Sequence, residues 1–428
     1  MLAILTTHPI QYQVPLWQAL AKDGRVPFEV WYLSDHATRQ SFDSEFRQTF
    51  AWDLDMLSGY PSRFLKTNNN PDVARFSRLR LAEPLGDLIR KKDVTAIWIQ
   101  GWQVAAYWQA VWQAHAAGIP VWLRGESNDL AAVSMWKKPV KRLALNQLFA
   151  KVSEFLYIGG ANRRFYENFG VKPQQLHPAY YCVDNERFKN QAAELRPRRA
   201  ELRRAWGIPK DSFCVLFAGK FVHKKRPLDI VEAAGKLRRD NPRTNIHILF
   251  AGSGELDALL RQSCNVVFDA ASNGNGVDRA LPTASMPDAS FTGFLNQKEI
   301  SKAYVAADCL VLPSDSRETW GLVVNEAMAS GLPCIVSDAC GCAEDLIVPV
   351  RSDFCFPLGD PASISRAIAR LCQIPAKAEE LSREVAKVDV CSSVQTVAAL
   401  YSSSLRMLPK NSTIHACFEK SSNAESVG

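Results

Sequence analysis

Residues 309–333 read Cys309-Leu-Val-Leu-Pro-Ser-Asp-Ser-Arg-Glu-Thr-Trp-Gly-Leu-Val-Val-Asn-Glu-Ala-Met-Ala-Ser-Gly-Leu-Pro333. Cys309 to Leu312 is an apolar, strand-length run that Pro313 ends. Val323 to Ala329 reads as a helix, Gly331-Leu-Pro closes it, and Pro333 to Val336 is a second strand-length run. Strand, polar turn, helix and strand in this order form one unit of a parallel sheet.

The turn also carries chemistry. A helix entered from a strand leaves its first N–H groups without intrahelical partners and aims them, with the positive end of the helix dipole, at an anion. Gly321 lets the backbone approach such an anion closely, so the amides of Trp320, Gly321 and Leu322 are candidate phosphate ligands. Glu318 and Glu326 flank this turn. Two carboxylates at a helix start are, on their own, ordinary solvated groups that complement the dipole.

The same rhythm extends in both directions. Upstream within this half, Cys214 to Ala218 and Asn245 to Phe250 read as strands, with helices near Leu228 to Arg238, Glu255 to Gln262 and Lys298 to Ala306. In the first half, Leu2 to Thr7, Phe28 to Leu33, Ala96 to Ile99, Pro120 to Leu123 and Phe155 to Ile158 alternate with helical patterns. A chain of 428 residues exceeds what one core usually supports. The expected division is 1–190, 191–372, a set of helices over 373–408 that packs back on the first domain, and a polar tail over 409–428. Val183 to Leu195 is expected as a linker, and Phe268 to Phe291, rich in small and polar residues, as a surface loop.

Four segments together resemble retaining glycosyltransferase family 4. Glu318 and Glu326 have the spacing of its E-x7-E signature. Ala218-Gly-Lys-Phe-Val-His-Lys-Lys-Arg-Pro resembles the segment whose Gly219 nears the donor and whose basic residues, here Lys220 and Lys225, neutralise its diphosphate. Ala251-Gly-Ser-Gly-Glu, with Gly252 and Gly254, resembles the family's glycine turn, and Tyr181-Cys-Val-Asp-Asn-Glu-Arg-Phe its interdomain segment. The likeness is dense over residues 213–346 and looser before them.

The resemblance implies an α/β protein of GT-B fold: two Rossmann-like, doubly wound parallel-sheet domains facing across a cleft. It implies a nucleotide-diphosphate sugar as co-substrate, no further cofactor, no metal, and retention at the anomeric carbon. Position by position, it implies that Glu318 faces the donor sugar, Trp320, Gly321 and Leu322 the phosphate, and Glu326 the ribose. Lys220 and Lys225 join Glu318 as catalytic groups, because a fixed cation where negative charge develops lowers a barrier. Polysaccharide or glycolipid assembly is the implied setting, with a carbohydrate or lipid-linked acceptor.

The first domain departs from that pattern. Thr7-His-Pro-Ile-Gln-Tyr-Gln-Val-Pro stands after its first strand, where family members commonly carry glycines. His8 and Gln11 of this loop are acceptor-side candidates, as are Arg124, Glu126 and Asn128, which follow a strand and face the cleft by the carboxyl-end rule.

Composition narrows the alternatives. A formal charge of +7 favours anionic partners, yet the basic clusters at Arg196 to Arg204 and Lys137 to Arg142 lack the interleaved aromatics of a nucleic-acid binder. Val94 to Leu123 has no charged residue, but its glutamines and glycines break it into buried strands and a helix and argue against a membrane span. Met135 to Phe149 mixes basic and apolar residues, a pattern open to peripheral membrane contact at the inner face. The 11 cysteines suit small core residues in a reducing compartment, and no secretory signal opens the sequence, so a cytoplasmic protein is expected. Asp53-Leu-Asp55 is the one Asp-x-Asp near the first strands and lies outside the donor half. A nicotinamide dehydrogenase would need Gly-x-Gly-x-x-Gly after its first strand, which Thr6 to Val14 lacks. A nucleotide-sugar epimerase of the same fold, or a non-catalytic sugar or nucleotide binder, remains the rival reading.

Overall fold

The computed structural model describes all residues except 37, 39, 44, 69–78, 131–137, 272–285, 375–376 and 407–428. The expected polar tail therefore lies outside the described residues, as do the start of the Met135 to Phe149 segment and the middle of the expected loop.

Two seven-stranded sheets, parallel throughout, organise the chain. The first contains β1 (Leu2–Thr6), β2 (Phe28–Tyr32), β5 (Ser62–Phe64), β6 (Ala96–Ile99), β7 (Val121–Leu123), β8 (Glu154–Tyr157) and β9 (Leu176–Pro178), in the order β5-β2-β1-β6-β7-β8-β9. Its central strands are continuous apolar runs, fully buried because helices cover both faces. The order reverses direction between β1 and β6, and the carboxyl ends of these strands open a crevice there.

The second sheet contains β10 (Phe213–Ala218), β11 (Ile246–Ala251), β12 (Asn265–Asp269), β13 (Asp288–Gly293), β14 (Cys309–Leu312), β15 (Cys334–Ser337) and β16 (Cys355–Phe356), in the order β12-β13-β11-β10-β14-β15-β16. Its switch point falls between β10 and β14, so Gly219 and Pro313 begin the facing loops. This is the GT-B architecture expected from the sequence.

Two local expectations need correction, and the Asp-x-Asp of the first domain has a structural role. Phe268 to Phe291 is not simply a loop: β12 ends inside it and β13 begins inside it, both hydrogen-bonded into the sheet. Val183 to Leu195 is not a linker but mostly the helix Asn185–Leu195, started by Asp184, whose carboxylate accepts from the Arg187 amide, and held by buried Phe188 and Ala192. Such a cap stabilises a helix by about 1 kcal/mol. In Asp53-Leu-Asp55, Asp53 accepts from the Lys298 amide at 3.0 Å and Asp55 from the amides of Leu57 and Ser58, so both carboxylates hold backbone.

The last described helix, Val390–Arg406, lies against Val14–Asp23 of the first domain, and its Val394, Val397, Ala398 and Tyr401 share a core with Leu16, Trp17 and Trp98. A remaining antiparallel pair, β3 (Ser41–Asp43) and β4 (Gln48–Phe50), leaves the first sheet and reaches the second domain. No described helix is long and apolar enough to cross a membrane.

Candidate active site

A cavity of about 410 Å³ lies between the sheets. Of the residues anticipated from sequence, Gln11, Glu126, Gly219, Lys220, Lys225, Gly252, Glu318, Trp320, Gly321, Leu322 and Glu326 line it. Gly254 stands behind the wall, packed on the Phe221 backbone.

Backbone geometry explains the glycines. Gly252 has φ +144°, and a Cβ there would sit 1.9 Å from the Gly219 carbonyl oxygen, so the two donor-side turns touch only without a side chain. Gly321 has φ +107° and is the N-cap of the helix Leu322–Ala329, whose first residues line the cavity.

Lys225 closes a single 3-10 turn, His223–Lys225, and forms an ion pair with Glu318; both side chains are more than four-fifths buried. Trp320 is buried and donates from Nε1 to Asn325 at 2.8 Å. Its ring abuts Gly159 of the first domain so closely that a Cβ there would lie 2.1 Å from it. Beside this contact the Gly160 amide donates to Asp345 at 3.0 Å, and Arg164 bridges Glu344 and Asp129. Burial raises the Asp345 carboxyl from 3.8 to about 6 against the opposing pull of the Gly160 amide.

Glu326 is buried and accepts from the Tyr304 hydroxyl at 2.5 Å, with the Gln297 amide at 3.4 Å. Burial pushes its carboxyl up, and these hydrogen bonds only partly offset that. Tyr12, from the loop after β1, packs against the second domain's core and lines the cavity beside Glu326.

Lys220 is held from the opposite domain. Its ammonium lies 3.0 Å from Asp43 and 2.8 Å from Glu45, and 5.0 Å over the Phe46 ring. Glu45 also meets Lys224 at 2.8 Å. Burial alone would raise the Glu45 carboxyl, but the hydrogen bonds and charges of the two lysines outweigh it and bring it down to about 2. Ser253 donates to the Phe46 carbonyl, Asn296 to that of Ala51, and Phe294 gathers Phe46, Phe50 and Trp52 at centroid distances of 5.0, 4.5 and 6.4 Å.

The remaining acceptor-side candidates separate. Glu126 accepts from the Tyr181 hydroxyl on the cavity wall. Arg124 is buried off that wall, donating to the Tyr180 carbonyl at 3.2 Å and stacking over Tyr181, and Asn128 is buried off it as well. His8 faces a smaller, neighbouring cavity. Sequence reasoning missed Asp43, Glu45, Phe46, Trp52, Tyr12, Phe294 and Tyr304.

Fold and cleft together define a GT-B protein whose second domain brings two lysines and a glycine-rich wall to the cavity. Residues 198–388 match the family model described as "Glycosyl transferases group 1". Over 87 residues, covering 20% of the chain and 22% of its relative, it is 46% identical to a GDP-mannose-dependent alpha-mannosyltransferase of Mycobacterium tuberculosis. Over 229 residues, covering 51% and 48%, it is 26% identical to a D-inositol 3-phosphate glycosyltransferase of Thermomonospora curvata. The matches thus span less than half the length of these curated relatives. In fold it is similar to Anabaena Alr3699/HepE, solved in complex with UDP and glucose, with a TM-score of 0.58, 16% identity, and coverage of 94% of this chain and 99% of that one.

Proposed function

We propose that the protein is a retaining glycosyltransferase that moves a sugar from a nucleotide-diphosphate sugar to a carbohydrate or lipid-linked acceptor in polysaccharide or glycolipid assembly. The observation that carries this reading is the convergence of Lys220, Lys225, Glu318 and the first turn of Leu322–Ala329 on one cavity between two Rossmann-like sheets. Two lysines and a helix N-terminus suit a diphosphate, and Glu318, paired with Lys225, is placed for the hydroxyls of the sugar attached to it. The family of residues 198–388 and the UDP and glucose bound by the Anabaena protein support the same chemistry.

In this reaction the bond from the anomeric carbon to the diphosphate oxygen breaks, and a bond from that carbon to the acceptor oxygen forms on the same face. The departing phosphate takes the acceptor's hydroxyl proton, and Lys220 and Lys225 stabilise the charge that develops on it. The lysines do the work a divalent ion performs elsewhere, so transfer is expected to persist in chelator. Glu326, buried against Tyr304, is the candidate ribose partner. The ten described cysteines are unpaired thiols, which supports a cytoplasmic setting. Exposed Val140 and Leu143 beside Lys141 and Arg142 support contact with the inner membrane face.

Thermal stabilisation by a panel of UDP, GDP, ADP, dTDP, CMP and NAD tests the reading. A rise in melting temperature with one nucleoside diphosphate, lost in Lys225→Ala, is expected. A response to NAD alone would overturn it. Anomeric analysis of the transfer product by NMR then tests retention.

A further inference from the structure

Beside the main cavity lies a second one of about 170 Å³, lined by His8, Pro9, Ile10, Gln11, His36, Phe42, Asp43, Phe50, Ala51 and Trp52. Gln11, Asp43 and Trp52 line both, so the two spaces share a wall. The smaller one is the size of a single sugar ring. One side is the aromatic hairpin, with Phe42 63% exposed, a large ring left open to solvent. The other is polar: His8 and His36 meet edge to face at 5.2 Å, and His8 Nδ1 is occupied by the Thr7 hydroxyl at 3.0 Å.

We infer that this cavity seats the sugar ring of a neutral saccharide acceptor, its C–H face on the hairpin's aromatic rings and its hydroxyls on His8, His36, Gln11 and Asp43. The inference rests on the transferase reading above. An aromatic side facing a polar one suits a sugar, which has one apolar face and a rim of hydroxyls. Neutrality follows from charge. Burial and the neighbouring His36 lower His8 to about 4, so it carries no charge near pH 7, and among the described residues the one formal charge in the wall is the carboxylate of Asp43. With Lys220 drawn away from Asp43 by a donor diphosphate, a phosphorylated acceptor would meet repulsion there. When a donor diphosphate takes over Lys220, Asp43 Oδ2 is released, and it becomes a positioning group for the acceptor hydroxyl at the junction of the two cavities.

The test uses the full chain saturated with UDP or GDP, whichever raises its melting temperature, and saturation-transfer NMR with methyl glycosides of glucose, galactose and mannose as probes. Myo-inositol 1-phosphate is the anionic comparison. At least one glycoside is expected to give contacts that fall about threefold or more in Phe42→Ala and in His8→Ala, while the nucleotide's thermal shift is retained. Glycoside contacts unchanged in both variants, no contact from any glycoside, or preference for the phosphate ester would overturn the acceptor seat and leave the donor reading standing. Loss of nucleotide stabilisation in the unmutated protein would sink both.

Discussion

Replacing Glu45 with glutamine should tighten nucleoside diphosphate binding, although Glu45 lies in the opposite domain from the anion site. Its carboxylate bridges Lys220 and Lys224 at 2.8 Å each and so competes with an incoming diphosphate for the same cations. The side chain is 43% exposed, which limits each contact by solvent screening to about 0.5 kcal/mol, and the two together to about 1 kcal/mol. Removing the charge therefore lowers Kd about fivefold. Glutamine keeps the size and an acceptor oxygen, so the hairpin is retained; the turn itself is held by Asp43, which accepts from the amides of Glu45 and Phe46 at 2.9 Å. Calorimetric titration with UDP and GDP should show the gain in low salt and its shrinkage at about 0.5 M salt, where the screening length falls to a few ångströms. Unchanged or weaker nucleotide binding in Glu45→Gln would refute the competition, and with it the use of Lys220 by the donor.

Glu318→Gln and Lys225→Ala should each cut transfer by about 100-fold or more at saturating substrate, with folding preserved by circular dichroism; near-normal turnover in either removes that residue from the chemistry. Asp345→Asn tests the interdomain contact through pH. Burial raises the folded-state value from 3.8 to about 6, so the stability linked to this site is full below the lower value and is lost as pH rises through the upper one. The neutral variant should gain on the unmutated protein across that window, by about 1–3 kcal/mol at neutral pH, read as a pH-dependent difference in melting temperature. A difference independent of pH would count against it. Gly252→Ala forces a methyl group to 1.9 Å from a backbone oxygen and should lower the melting temperature by several degrees or abolish soluble expression, whereas a neutral outcome would refute the packing of the two donor-side turns.

What the sequence made legible is what is local. Cys309 to Pro333 contains its own strand, turn and helix, and Gly321 caps the helix that directly follows it. Strand β13, Asp-Ala-Ser-Phe-Thr-Gly, was hidden because its polar residues break the apolar pattern; Ser290 is nonetheless fully buried, satisfied by the Trp206 carbonyl and His247. The hairpin was hidden for a different reason. Phe42, Phe46 and Phe50 recur every four residues, a helical spacing, yet the rings of Phe46 and Phe50 serve a turn whose partners, Phe294 and Lys220, are far away in sequence. Tyr12 is the same kind of case, a loop residue whose surroundings belong to the other domain.

These nonlocal residues follow from a requirement the local ones create. A site built to stabilise a departing diphosphate places lysines in a half-enclosed cleft, where an unpaired cation is costly. Lys225 is satisfied within its own domain by Glu318, whereas among the described residues Lys220 takes its carboxylate partners, Asp43 and Glu45, from across the cleft. On the proposed function the hairpin stands in for the ligand's charge, and the net gain on donor binding is the difference between two occupants of one cation. Because the same hairpin also walls the smaller cavity, exchanging those occupants alters both spaces at once. On the proposed function, that shared wall gives the cleft a physical route by which filling the donor site prepares the acceptor's.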